Sequence, residues 1–177
     1  DVDRIQKTGD IKRKVEGVYY TPSTLTDYIC RNTIIPYLSK NNVNDVHDLI
    51  SEYQDNIEEL EEKLEKIKIV DPACGSGAFL INATEILLEI TEGLEKIKND
   101  TKTQASSGKL DDWQREKETS KIIKNNIFGI DINRDAVQIT KLSLFLIMAK
   151  PGEKLTNLSQ NIMVGDALID DKDEYPN

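Results

Sequence analysis

The sequence predicts an α/β fold: a partial, doubly wound parallel sheet preceded by an N-terminal helical segment. Three observations predict it. From Ile67 onward, short β-branched runs alternate with helix-period stretches, the pattern of parallel βαβ units. The first run, "KIVD", passes through "PACGSG" into an apolar-periodic helix, a strand, glycine turn and helix in immediate succession. All three predicted strands then finish at an acid, Asp71, Asp131 and Asp166, and ligands of open α/β sheets gather at strand carboxyl ends.

The elements follow in order. In "GVYYTPSTLTDYICRNTIIPYL", Thr21 is the expected N-cap and Pro22 the first helical residue. Leu25, Tyr28, Ile29 and Thr33 keep helical spacing, and Pro36 is expected to bend or end the helix. A second stripe runs through Val43, Val46, Leu49, Ile50, Tyr53, Ile57, Leu60 and Leu64, backed by a solvated Glu/Lys face. This front, residues 1–66, forms the helical segment; residues 67–177 form the first half of an α/β domain. There, a strand at 67–70 leads to a helix over 77–97, and the polar stretch 99–112 reads as a loop. A helix at 110–124 feeds the strand "NIFGID", a helix covers 133–150, and "NIMVGD" is the third strand.

Composition bounds the function. The 177 residues suffice for one domain, and no apolar run is long enough to cross a membrane. No basic-then-apolar leader is present. Cys30 and Cys74 form neither a disulfide framework nor a metal-spaced pair, so a cytoplasmic location and no metal are expected. The net charge of −9 opposes a broad grip on nucleic acid by this chain alone.

The glycine turn departs from the dinucleotide fingerprint. Gly75 and Gly77 supply its first two glycines, but Leu80 occupies the third place, and Asp71 would repel a pyrophosphate. A ligand with an ammonium and sugar hydroxyls, and no phosphate, suits a carboxylate beside close-approaching backbone. A glycine pair alone is better read as a tight strand-to-helix connection; the two further strand-end acids reverse that and favour a ligand. Asp131 stands where nucleotide sites accept from ribose hydroxyls. It follows Asp71 by 60 positions, against the usual separation of about 20, so the crossover carries an insertion. Asp131 or Asn133 could also cap the following helix. Asp166 could accept from an adenine amino group, or be an ordinary turn aspartate. His47, the sole histidine, lies on a charged helix with no Cys-His motif, so Cys74 reads as a small wall residue and no nucleophile.

"GVYYTP", "VDPACGSGAFL", "IFGIDINRDAV" and "VGDAL", in that order, resemble the cofactor-binding half of DNA adenine-N6 methyltransferases. The nearest likeness is to large restriction-modification methylases, type II included, in which methylase and endonuclease can share a chain. The resemblance covers about residues 17–169 and implies a Rossmann-like, S-adenosylmethionine-dependent fold. It implies that Tyr20, Thr21 and Pro22 meet the methionine end, and that Asp71 holds the ammonium region. Ala73, Cys74, Gly75 and Gly77 would form a backbone wall. Asp131 would take the ribose hydroxyls, Ile132 would cover the adenine, and Asp166 with Ala167 would meet its amino group. The family's catalytic Asn-Pro-Pro-Tyr motif is absent, so no catalytic residue is assigned and the chain alone is expected to be inactive. DNA would be engaged through other parts of a larger enzyme, and the chain's open sheet edge would favour self-association. Alternatives are methylation of a protein glutamine or an RNA base, or a non-catalytic assembly module that keeps the fold for packing.

Overall fold

The structure, a computed structural model, describes residues 21–101, 112–148 and 157–168. Tyr20, most of the 99–112 loop and the chain beyond Leu168 lie outside them. Three helices come first: α1 (Ser23–Leu38), α2 (Val46–Glu52) and α3 (Ile57–Lys66). The α/β part runs β1 (Ile69–Asp71), α4 (Ala78–Thr101), α5 (Asp112–Asn126), β2 (Ile127–Asp131), α6 (Arg134–Met148) and β3 (Ile162–Val164). The strands form a parallel sheet in the order β1-β2-β3, as the alternation predicts. Ile69 faces Ile127, and Gly129 faces Ile162. Among the described residues no helix is long and apolar enough to cross a membrane.

The helical front differs from expectation in three places. Pro22, not Thr21, occupies the N-cap position of α1, with no side-chain capping bond. Pro36 does not end α1, because it falls in the last turn and the helix continues to Leu38. The face of α1 is also turned: Thr26, Cys30, Ile34, Ile35 and Leu38 are buried, while Leu25, Tyr28, Ile29 and Thr33 are exposed. Thr26 accepts from Asn82 Nδ2, and Cys30 Sγ lies 3.6 Å from the Phe79 carbonyl, so α1 lies along the start of α4 through its smaller side chains.

The second stripe is broken into two helices at Tyr53, whose hydroxyl donates to the Leu38 carbonyl at 2.6 Å. Lys63 in turn donates to that hydroxyl. Val46, Leu49, Ile50, Tyr53 and Leu60 are buried as the spacing requires. The charged face of α3 pairs within itself, as at Lys66–Glu62, and also reaches Lys98 and Lys121 on α4 and α5. Such exposed pairs contribute about 0–1 kcal/mol each.

One buried cluster runs from Ile34 and Tyr53 through Leu80, Ile90 and Ile123 to Val137 and Ile162. Two buried amides hold its polar seams. Asn126 donates to the Leu64 and Ile67 carbonyls, joining the end of α3 to the approach to β1. Asn161 donates to the carbonyls of Ile123, Lys124 and Ile127, satisfying the end of α5.

Candidate cofactor site

Parallel pairing brings the carboxyl ends of all three strands to one edge of the sheet. The segment after β1 cannot continue extended, because Gly75 and Gly77 take φ of +53° and +87°. These left-handed values suit glycine and reverse the chain into α4. The Cys74 amide donates to the Ile130 carbonyl at 2.9 Å, and the Gly77 amide to the Cys74 carbonyl at 2.8 Å, so the turn is pinned against β2.

Asp131 is the hub. Its Oδ2 accepts from the Gly75 amide at 2.7 Å and its Oδ1 from the Asn133 amide at 2.8 Å. A carboxylate has about four lone-pair sites, so each oxygen retains acceptor capacity for one more donor. A pair of vicinal hydroxyls matches that. The capping question is settled by Asn133, whose Oδ1 accepts from the Asp135 and Ala136 amides.

Asp71 Oδ1 accepts from the Ala73 amide at 3.0 Å. Burial pushes its carboxyl above the usual aspartate range, the Ala73 amide opposes that, and the Asp131 charge adds to it. None of the ion pairs among the described residues reaches either acid. Two neighbouring carboxylates without a counter-ion repel a phosphate and attract a cation. Beside them Gly75 is open: an added Cβ would meet nothing within 4 Å. That open backbone beside two acids with remaining acceptor capacity fits S-adenosylmethionine, a cation with hydroxyls, and does not fit a pyrophosphate.

The other predicted residues divide. Cys74 is buried, packs under Gly129, and has its thiol pushed up to about 11, chiefly by burial and then by Asp71 and Asp131. Burial and two neighbouring acids disfavour its thiolate. Exposed Ile132 follows Asp131 directly. Asp166 lies at the end of the neighbouring strand, where the Gly165 amide donates to the Asp131 carbonyl. Its Oδ1 accepts from the Leu168 amide at 2.9 Å, the bond of an ordinary aspartate turn, and Ala167 is exposed beside it. Half-buried Thr21 and exposed Pro22 precede α1, whose Thr26 meets α4 one turn after the glycines. His47 is exposed, and its amide donates to Asp45.

Sequence reasoning missed two contributors. Gly129 lets β2 approach the turn, since a Cβ there would stand 2.8 Å from Leu80 Cδ1 and 3.1 Å from the Cys74 side chain. Thr140 on α6 is wholly buried and donates to the Gly75 carbonyl at 2.7 Å. The glycine inside "IFGID" was the available signal for the first. Thr140 resembles any threonine in a helix and gave none.

A Methanocaldococcus jannaschii protein named "Putative type II restriction enzyme and methyltransferase" is 33% identical over 181 residues, covering 86% of this chain. The Lacticaseibacillus casei adenine-specific methyltransferase PglX is 29% identical over 92 residues, covering 52% of it. The Escherichia coli adenine-specific methyltransferase BrxX is 22% identical over 168 residues, covering 87%. The matches span only 14%, 6% and 12% of those relatives' own lengths. No solved structure matches the chain significantly. The sequence also matches the family "MmeI, DNA-methyltransferase domain" over residues 47–168, from the start of α2 to the turn beyond β3 and across Asp71 and Asp131, and the chain belongs to that family.

Proposed function

We propose that this chain binds S-adenosylmethionine at its strand carboxyl ends and forms the cofactor-holding part of a DNA adenine-N6 methyltransferase of a restriction-modification system. The observation that carries the reading is the pair of acids beside the open glycine turn: Asp131 with acceptor capacity on both oxygens, and Asp71 with no ion-pair partner among the described residues. The names of two relatives favour adenine as the target. In this reading the domain is Rossmann-like, residues 1–66 deliver the Tyr-Thr-Pro motif to the methionine end, and residues 67–177 hold the rest of the cofactor.

When bound, S-adenosylmethionine supplies a methyl group on a sulfonium, open to attack by an amine. The chain's residues bind and orient. Asp71 pairs with the ammonium, Tyr20 and Thr21 flank the methionine end with Pro22 shaping the approach, and Asp131 accepts from both ribose hydroxyls. Ile132 covers the adenine, whose amino group Asp166 receives beside Ala167. Acceptors for the target amine have no counterpart here, since the sequence contains no Asn-Pro-Pro or Asp-Pro-Pro. Base extrusion and DNA contact therefore belong to other parts of a larger enzyme. The cytoplasm suits this role, as it keeps Cys30 and Cys74 as thiols.

Titration calorimetry of the 177-residue chain tests the reading. S-adenosylmethionine and its demethylated product should bind, and NAD should not. Asp131→Ala should weaken binding at least tenfold, since a charge-assisted hydrogen bond contributes roughly 1.5–3 kcal/mol. NAD binding with none for the methyl donor would refute the proposal.

A further inference from the structure

We infer that Thr140 is a positioning residue for the cofactor: its hydroxyl locks the Gly75 peptide so that Asp131 is oriented for the ribose before any ligand arrives. The inference rests on the cofactor reading above and assigns a role to a residue outside the four resemblance-bearing motifs.

Thr140 departs from what helix threonines in this chain do. Thr33, Thr84, Thr91 and Thr119 each return the hydroxyl to the carbonyl four residues back, the ordinary local bond of a mid-helix threonine. Thr140 instead crosses 65 residues of sequence to donate to the Gly75 carbonyl at 2.7 Å. On the other side of the same residue, the Gly75 amide donates to Asp131 Oδ2, also at 2.7 Å. Both polar groups of Gly75 are thus held by the β2–α6 unit. The methyl of Thr140 supports the second glycine, since a Cβ on Gly77 would come within 2.8 Å of its Cγ2.

The lock matters because of where it sits. Gly75 is left-handed, has no side chain and meets nothing within 4 Å on its open side, so packing there does not fix its peptide. The buried hydroxyl fixes the Gly75–Ser76 peptide and Asp131 Oδ2 fixes the Cys74–Gly75 peptide, so the two bonds together hold the left-handed backbone of Gly75 between them. Asp131 Oδ2 then keeps a set direction for its remaining acceptor capacity. Without the hydroxyl that ordering would fall to the ligand and reduce its affinity.

The test compares the parent chain with Thr140→Val, which keeps the volume, and Thr140→Ser, which keeps the hydroxyl. Calorimetry with S-adenosylhomocysteine should show at least fivefold weaker binding for the valine variant and affinity within twofold of the parent for the serine variant. Valine within twofold of the parent, or serine weakened as much as valine, would overturn the inference, the second by assigning Thr140 to packing alone. A parent chain that binds no S-adenosylhomocysteine would overturn the cofactor reading, and this role with it. Amide exchange without ligand gives a second readout. The Gly75 amide should exchange faster in the valine variant than in the parent and the serine variant, and equal rates in all three would show that the lock does not hold.

Discussion

Among the described residues Asp71 has no ion-pair partner. Its carboxyl is raised above the aspartate range, first by burial, with one amide opposing and the Asp131 charge adding. The folded protein therefore holds that proton more tightly than the unfolded chain does. Stability is lost as pH rises from the unfolded value toward the folded one, and the cost is complete above it. Asp71→Asn removes the charge but keeps an oxygen for the Ala73 amide. The unliganded variant should melt at a higher temperature than the parent at pH 7, with the difference shrinking as pH falls toward 4, as scanning fluorimetry would record. The same variant should bind S-adenosylmethionine at least tenfold more weakly, losing a charge-assisted contact of roughly 1.5–3 kcal/mol. A lower melting temperature with unchanged affinity would remove Asp71 from the site.

At the scale of elements, the turn between β1 and α4 contains two glycines that are not equivalent. Gly75→Ala meets only the left-handed backbone, a cost of roughly 1–2 kcal/mol. Gly77→Ala meets that cost and a contact of 2.8 Å with buried Thr140. Urea unfolding should rank Gly77→Ala as clearly the more damaging, and equal losses would mean that α6 yields freely. This difference illustrates what the sequence could convey. The strand-turn-helix and the acids were legible because backbone reversal and strand ends leave local marks: glycine, β-branched runs, a terminal carboxylate. The buried face of α1 was not legible, because hydrophobicity favours Leu25, Tyr28 and Ile29 over the Thr26 and Cys30 that face α4. The break at Tyr53 was hidden for the opposite reason, as Tyr53 keeps the apolar spacing while its hydroxyl turns to Leu38. Thr140 acts through a partner 65 residues away, and no local pattern announces that.

For the molecule as a whole, β1 pairs only with β2 among the described residues, and its other edge borders a groove of about 270 Å³. Ile29, Val70 and Phe79 line it, and Val70 is 57% exposed. An uncovered β-branched edge invites another strand. We expect concentration-dependent self-association in light scattering, stronger at high salt, where the repulsion from a net charge of −9 is screened. Val70→Lys should suppress it. A monomer at every concentration and salt would show the edge to be inert.

The bond from the Gly75 amide to Asp131 joins residues 56 positions apart, with the whole of α4 and α5 between them. Closing so long a loop is entropically slow to reward, so the hub forms only after the crossover has docked. A nascent chain that has emerged through the glycine turn therefore has the most recognisable part of the site and no means of holding a ligand. On the proposed function, cofactor capture would begin only once β2 has been synthesised and paired with β1.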